Sequence, residues 1–314
     1  MKKLISIASL LAVMFAAVSC QKDSAAQMEN VSFSVVVPGN PVTKAQMSDG
    51  TTADQLMYEV YVGNDVMYKG AVDASANLTA EGYRQFALNL QLVKGQEYDI
   101  LFWAQKKNTG FYNTSDLKSV SVNYGEGTIA NDEKRDAFYG KLLNFTPVLG
   151  PTTVTLSRPF AQVNYAVSPS DWESLAPFIT NGLKSKYLIS EVHTHFNVYE
   201  GDVIANSKTS NVVMDFALAP VSESSYTNDV ITYNNVSYKW AAMAYIFAPK
   251  AGSDIGSIKA SFVHDKNANN PIEVEVSNVP VMQNYKTNIL GEMASSASQF
   301  NVVIVPGFDG TLIK

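Results

Sequence analysis

His193 and His195 stand two residues apart in a stretch that reads as a strand, so both imidazoles project to one face, opposite Phe196. Two such rings are half of a zinc site, but no third ligand sits beside them. A solvent-facing pair on a half-buried strand is the simpler account, and no metal or other cofactor is expected. Asp132, Glu133 and Asp136 gather three carboxylates. Lys134 and Arg135 interleave them, the spacing is not that of a calcium loop, and a solvated loop or helical turn is expected. Trp172 and Trp240 have rings suited to stacking on a sugar, while Trp103 lies in an apolar run; core packing is the reading for all three. No G-x-S-x-G elbow, phosphate loop or H-E-x-x-H helix occurs. Catalysis is therefore not expected. The remaining reactive group is a thiol, Cys20, the single cysteine among 314 residues.

The place of that thiol is informative. Lys2 and Lys3 form a positive start, Leu4 to Ala17 is almost wholly apolar, and Ala17-Val18-Ser19 supplies compact residues before Cys20. Residues 1–19 therefore read as a secretory signal. The arrangement resembles a bacterial lipobox, with Ala17 where Leu is commoner. That resemblance implies that Cys20 becomes the first mature residue, its sulfur in thioether linkage to a diacylglyceryl group. The apolar run is shorter than the roughly 20 residues of a spanning helix. A lipid-tethered body outside the cytoplasm is expected, held at ~0.8 kcal/mol per buried methylene. With the thiol consumed, no disulfide can form, so core burial must supply the stability.

Behind the helices or strands that would position such groups lies the composition. Losing Lys2 and Lys3 with the signal takes the 23 basic residues to 21 against 29 acidic ones, a net charge of −8. An acidic balance argues against nucleic acid as a partner. Only 17% of residues are charged, while 16 Tyr and 15 Phe are present, a composition that suits strands. Apolar residues alternate with period two at Val31–Val37, Leu56–Val62, Phe86–Leu92 and Val120–Tyr124, and Tyr98–Ala104 is a continuous run suited to a strand buried on both sides. Turn signals separate them. Alternation restarts after Arg158-Pro159, with strands expected at 163–167, 192–199, 212–218, 236–247, 257–264, 272–276 and 300–305. One helix is expected from Asp171 to about Asn181, capped by Ser170 and Glu173. The expected fold is all-β: two β-sandwiches in tandem, with one short helix inserted in the second. The expected organisation is a signal at 1–19, a prosegment at 20–44 and sandwiches at 45–157 and 158–314.

One strand has a particular position. Val31, Phe33, Val35 and Val37 form an apolar row between the anchor and the body, followed by a Pro/Gly-flanked stretch whose basic residue is Lys44. A cut between Lys44 and Ala45, in what reads as an exposed loop, would sever lipid and strand from everything downstream. Burial of the four side chains is worth roughly 6–12 kcal/mol before chain-entropy costs. Loss of the strand would expose an apolar groove flanked by unpaired edges, which another chain's strand could fill. The C-terminal stretch offers Phe300, Val302 and Ile304 on one face for that purpose.

Several segments, taken in their joint order, resemble the fimbrillins of type V pili and related accessory lipoproteins: residues 48–56, YDILFWAQ at 98–105, TGFYNTSDLKSV at 109–120, NDEKRDAFYG at 131–140, SRPFAQVNYAV at 157–167 and NYKTNILGEM at 284–293. The resemblance implies two transthyretin-like, Greek-key sandwiches and a lipoprotein precursor at the cell outer membrane. It also implies removal of the lipidated first strand by a trypsin-like protease, then polymerisation with other pilus subunits by donor-strand exchange. One departure stands out. The family's cut usually follows Arg, and the first Arg after the signal here is Arg84. A guanidinium-specific pocket does not accept an ammonium equally, so an uncleaved subunit acting as pilus anchor is one expectation. A monomeric surface lipoprotein that binds glycan, a host protein or another bacterial surface is the alternative. The lipid assignment predicts that labelled palmitate enters the wild-type protein and is absent from Cys20→Ala, which should also leave the membrane fraction; label retained in that variant refutes it.

Overall fold

The computed structural model describes residues 27–38, 50–79, 82–125, 128–175, 185–209, 212–216, 230–263, 269–292 and 301–306. The first half contains β1 (Met28–Val37), β2 (Gln55–Val62), β3 (Asp65–Asp73), β4 (Arg84–Val93) and β5 (Tyr98–Gln105). They are followed by β6 (Tyr112–Asn113), β7 (Val120–Val122), β8 (Phe138–Phe145) and β9 (Pro151–Thr155). The second half opens with β10 (Phe160–Val167), α1 (Pro169–Leu175), β11 (Ser185–Ile189), β12 (Val192–His193), β13 (His195–Asn197) and β14 (Asp202–Val203). It continues with β15 (Lys208–Thr209), β16 (Val212–Phe216), β17 (Val230–Tyr233) and β18 (Val236–Phe247). Last come β19 (Ser253–Phe262), β20 (Ile272–Val281), β21 (Tyr285–Gly291) and β22 (Asn301–Pro306). The fold is all-β, as the alternation implies.

A three-stranded sheet, β4-β1-β9, faces a four-stranded sheet, β3-β2-β5-β8. Between them lies a core built on Val31, Phe33, Phe86, Leu88, Ile100 and Phe102. In the second half a seven-stranded sheet centred on β10 and β18 faces β16-β11-β19-β20, and Tyr165, Tyr187, Ile258 and Phe262 are among the residues buried between them. The two halves repeat one topology. Just as β1 lies antiparallel to β4 and parallel to β9, β10 lies antiparallel to β18 and parallel to β21. The second sheet then gains β22 outside β21.

A third core joins the halves. Strands β6 and β7 join neither of the first half's sheets; β7 pairs with β13 across residue 157, giving a four-stranded sheet β14-β13-β7-β6. Trp103, Leu101, Tyr112 and Leu117 from the first half pack with Phe160, Phe196, Trp240 and Phe247 from the second. The Tyr98–Ala104 run is thereby explained: Ile100, Phe102 and Ala104 enter the first core, and Leu101 and Trp103 enter the third. At the join, Arg158 grips Asp136 through two bonds, Nε to Oδ1 at 2.8 Å and Nη2 to Oδ2 at 2.7 Å, with both side chains buried. Burial disfavours a charged guanidinium, but the Asp136 charge and bonds outweigh it and raise the Arg158 pKa. Its guanidinium carbon also sits 4.5 Å from the centre of the Phe138 ring.

Two local expectations are corrected. The carboxylate cluster forms a short 3-10 turn, Glu133–Arg135, capped by Asp132, but it is not solvated throughout: Lys134 is exposed, Asp132 and Glu133 are half-buried, and Arg135 and Asp136 are buried. Helix α1 begins at Pro169, two residues earlier than expected, and its cap is Ser168, whose Oγ accepts from the Asp171 amide at 3.3 Å. Proline at the first helical position needs no amide donor, which favours this start. Residues 176–184 lie outside the described residues.

Because Arg158 stays charged when its partner is lost, Asp136→Ala is predicted to destabilise the whole chain by about 3–5 kcal/mol. Urea unfolding followed by fluorescence should show one shifted transition. A separate loss of one half, with the other unchanged, would show that the junction does not couple them.

Candidate functional site

The candidate site is β1 and the groove it fills. Its β-branched residues favour an extended chain, and its alternation buries Val31, Phe33, Val35 and Val37 while leaving Ser32 and Ser34 on the other face. Ten residues pair with β4, from Met28 opposite Val93 to Val37 opposite Arg84. Five pair with β9, from Ser32 opposite Pro151 to Val36 opposite Thr155. On the outer face Ser32 Oγ donates to Asn89 Oδ1 at 2.7 Å, and Gln85 Nε2 donates to Ser34 Oγ at 2.6 Å. On the inner face the Phe33 ring lies 5.4 Å from Phe145 and 6.2 Å from Phe102. Among the described residues, neither β4 nor β9 has another partner in that sheet. The strand is thus the only ladder holding both.

The chain leaves β1 at Pro38 and is next described at Gly50. These two residues adjoin: a Cβ on Gly50 would stand 3.0 Å from the Pro38 carbonyl oxygen and 3.0 Å from Val37 Cγ1. With φ at +73° as well, only glycine suits this position. Lys44 and Ala45 fall in residues 39–49 and lie outside the described residues, as does Cys20.

The C-terminal strand β22 is antiparallel to β21, from Asn301 opposite Leu290 to Pro306 opposite Tyr285. It forms one edge of the seven-stranded sheet. Val302 packs on the second core and Val303 on the third. Val302 and Ile304 are half-buried and Val305 is buried, so the apolar contacts are shared by both faces. Phe300 lies outside the described residues.

The remaining candidates are dispersed. His193 and His195 do not share a strand, because the chain passes from one sheet to another at Thr194. His193 Nδ1 contacts the Ile204 carbonyl oxygen at 3.2 Å and Ser207 Oγ at 3.3 Å, and burial lowers its pKa. His195 Nδ1 is 2.9 Å from Thr194 Oγ1. Among the described residues no three His, Cys, Asp or Glu side chains gather to hold a metal. Trp103, Trp172 and Trp240 are all buried, and Trp103 Nε1 donates to Gln105 Oε1 at 2.9 Å. Sequence reasoning missed Glu59, buried on the β2 face turned to the third core. It accepts from Tyr61 Oη at 2.5 Å and from the Leu117 amide at 3.1 Å. Burial and the Glu59 carboxylate push the Tyr61 phenol far up. A carboxylate between Val-rich neighbours was the available signal.

Comparison with solved structures identifies this fold elsewhere. A candidate cell adhesion protein of Bacteroides ovatus aligns over 90% of this chain and 99% of its own, with TM-score 0.52 and 12% identity. A candidate adhesin of Bacteroides thetaiotaomicron aligns over 91% and 98%, with TM-score 0.51 and 12% identity. A fimbrial assembly protein of Parabacteroides distasonis aligns over 89% and 99%, with TM-score 0.49 and 12% identity. No curated protein matches the sequence. Residues 22–314 match the profile of the family of unknown function DUF6562, and the chain belongs to that family.

Proposed function

We propose that the chain is a fimbrillin-like subunit or anchor of a cell-surface pilus, tethered to the outer membrane through Cys20 and supporting adhesion. The observation that carries this reading is the position of β1. It follows the segment that contains Cys20, fills the middle of a three-stranded sheet, and is joined to the body through the residues that contain Lys44. A cut between Lys44 and Ala45 would leave β1 held only by its ladders and its four apolar side chains. The fold shared with the Bacteroides ovatus and Bacteroides thetaiotaomicron proteins is consistent with an adhesive role.

In the proposed assembly, β22 of one subunit leaves the edge of its own sheet and enters the neighbour's groove between β4 and β9. Its six residues span about 20 Å, and its half-buried edge position makes release cheaper than release of β1. Tail-to-groove contact is heterologous, so it extends as an open filament. One observation favours the second reading, a monomeric surface lipoprotein that grips a glycan or protein. The chain already pairs β22 with its own β21, which closes the tail.

A peptide of residues 299–306 separates the two. It is expected to bind trypsin-treated protein whose new N-terminus reads Ala-Gln-Met-Ser, and not the uncut precursor, in which β1 occupies the groove. Lys44→Ala should block the cut and the binding together. Val302→Asp with Ile304→Asp should give a folded chain that does not elongate, because two carboxylates would have to enter a dry groove. Equal peptide binding to cut and uncut forms, or normal polymers from the Asp variant, would select the monomeric binder.

A further inference from the structure

The end of the first sandwich at which β1 begins carries large apolar side chains exposed to solvent. Strand register brings three turns to that end. Met28 pairs with Val93, just before the turn at Gly95. Tyr61 pairs with Asp99 and Val62 with Asp65, which places the Gly63 turn there too. Tyr98 pairs with Phe145 and Ser32 with Pro151, which adds the stretch between β8 and β9. Leu149 is 87% exposed, Val148 52%, Val66 49% and Met28 46%, and Leu143 on β8 is exposed as well. A Cβ placed on Gly63, Gly95 or Gly150 would meet no atom within 4 Å. Nothing among the described residues covers this end.

The opposite end of β1 and β9 leads to the rest of the molecule. Val36 pairs with Thr155, and the chain continues from there to Arg158 and β10. The apolar end therefore points away from the passage into the second half. It is also the end from which the chain runs back to Cys20, seven residues before Gln27, a separation of at most about 25 Å even when fully extended.

We infer that this end, with Leu149 and Val148 at its tip and Met28 and Val66 beside them, rests in the interfacial region of the lipid bilayer. The inference depends on the proposed Cys20 anchor and adds to it a second point of membrane contact that fixes the orientation of the sandwich. The contact is apolar rather than electrostatic. Lys94, the nearby cation, is 3.4 Å from the Glu29 carboxylate, and Asp65 and Glu97 flank the turns. Exposed apolar side chains removed from water gain in proportion to the area they bury, which suits a second signal acting beside a lipid.

The test uses the full lipidated protein in vesicles of phosphatidylethanolamine and phosphatidylglycerol. With Cys20 in thioether linkage, Leu149→Cys supplies the one free thiol for an environment-sensitive dye, and Ser237→Cys, exposed on β18 of the second half, is the control. The dye at 149 is expected to shift blue and to be quenched about threefold by nitroxide-labelled phospholipid, as for a group some 5–10 Å into the interface. The dye at 237 should be unaffected, and high salt should not release the tip. A dye at 149 that stays unquenched while the protein remains on the vesicles overturns the tip contact and leaves the anchor intact. Dye reacting with the wild-type protein would show Cys20 free, which removes the anchor and the inference with it. A blue shift that grows with protein concentration in lipid-free detergent would assign the tip to a second copy, and would overturn the lipid contact.

Discussion

The sheet β3-β2-β5-β8 has no solvated face along β5, and much else in the structure follows from that constraint. A strand buried on both sides must have a core above and below it. Here one core is closed by β1 and its sheet, and the other by residues of the second half. The polar groups caught between them have to be satisfied internally. Arg158 with Asp136, and Glu59 with Tyr61 and Leu117, are the results. The Arg158–Asp136 pair ties the two halves at their join, and the Glu59 bonds fix Leu117 within the junction core. The first half cannot be lifted away without stranding Trp103 and Phe247 in water.

The same layering separates β1 from the junction core. Strand β1 touches only the first core, on the side of the central sheet away from the junction core. A chain that loses β1 gives up the first core's outer wall but keeps the junction and the whole second sandwich. In the second half β10 has equivalent neighbours to those of β1 but continues directly into α1, so the two corresponding strands differ in how the chain leaves them.

Much of this was legible in the chain because period-two alternation survives wherever one face is dry. Val31–Val37 and Phe86–Leu92 are cases in point, and YDILFWA announced its double burial by having no polar alternation. The signal failed where strands face water. Asp65–Asp73 is almost wholly exposed, so its DVMYKGAVD carries no burial pattern to read. It failed again where a strand is short, since no periodicity exists in the two residues of β6 or of β12. The change of sheet at Thr194 was invisible for that reason, and it turned two apparently parallel imidazoles into residents of different sheets. The Arg158–Asp136 pair was hidden for another cause. Charges interleaved as Asp-Glu-Lys-Arg-Asp look solvated until a distant residue supplies a buried counter-ion. For the candidate site, the row on β1 was readable and its place in mid-sheet was not, because strand order depends on contacts far apart in sequence.

The direction of β1 relative to β9 has a mechanical meaning. A pull between the segment ahead of Met28 and the second half drags β1 toward its own N-terminus and β9 toward its C-terminus. Since the two are parallel, tension acts along the strands and stretches their bonds together, in shear, rather than opening them one after another like a zipper. Forced unfolding is governed by the barrier that must be crossed rather than by equilibrium stability, and simultaneous rupture raises that barrier. A protein built this way resists such a pull through the orientation of one ladder.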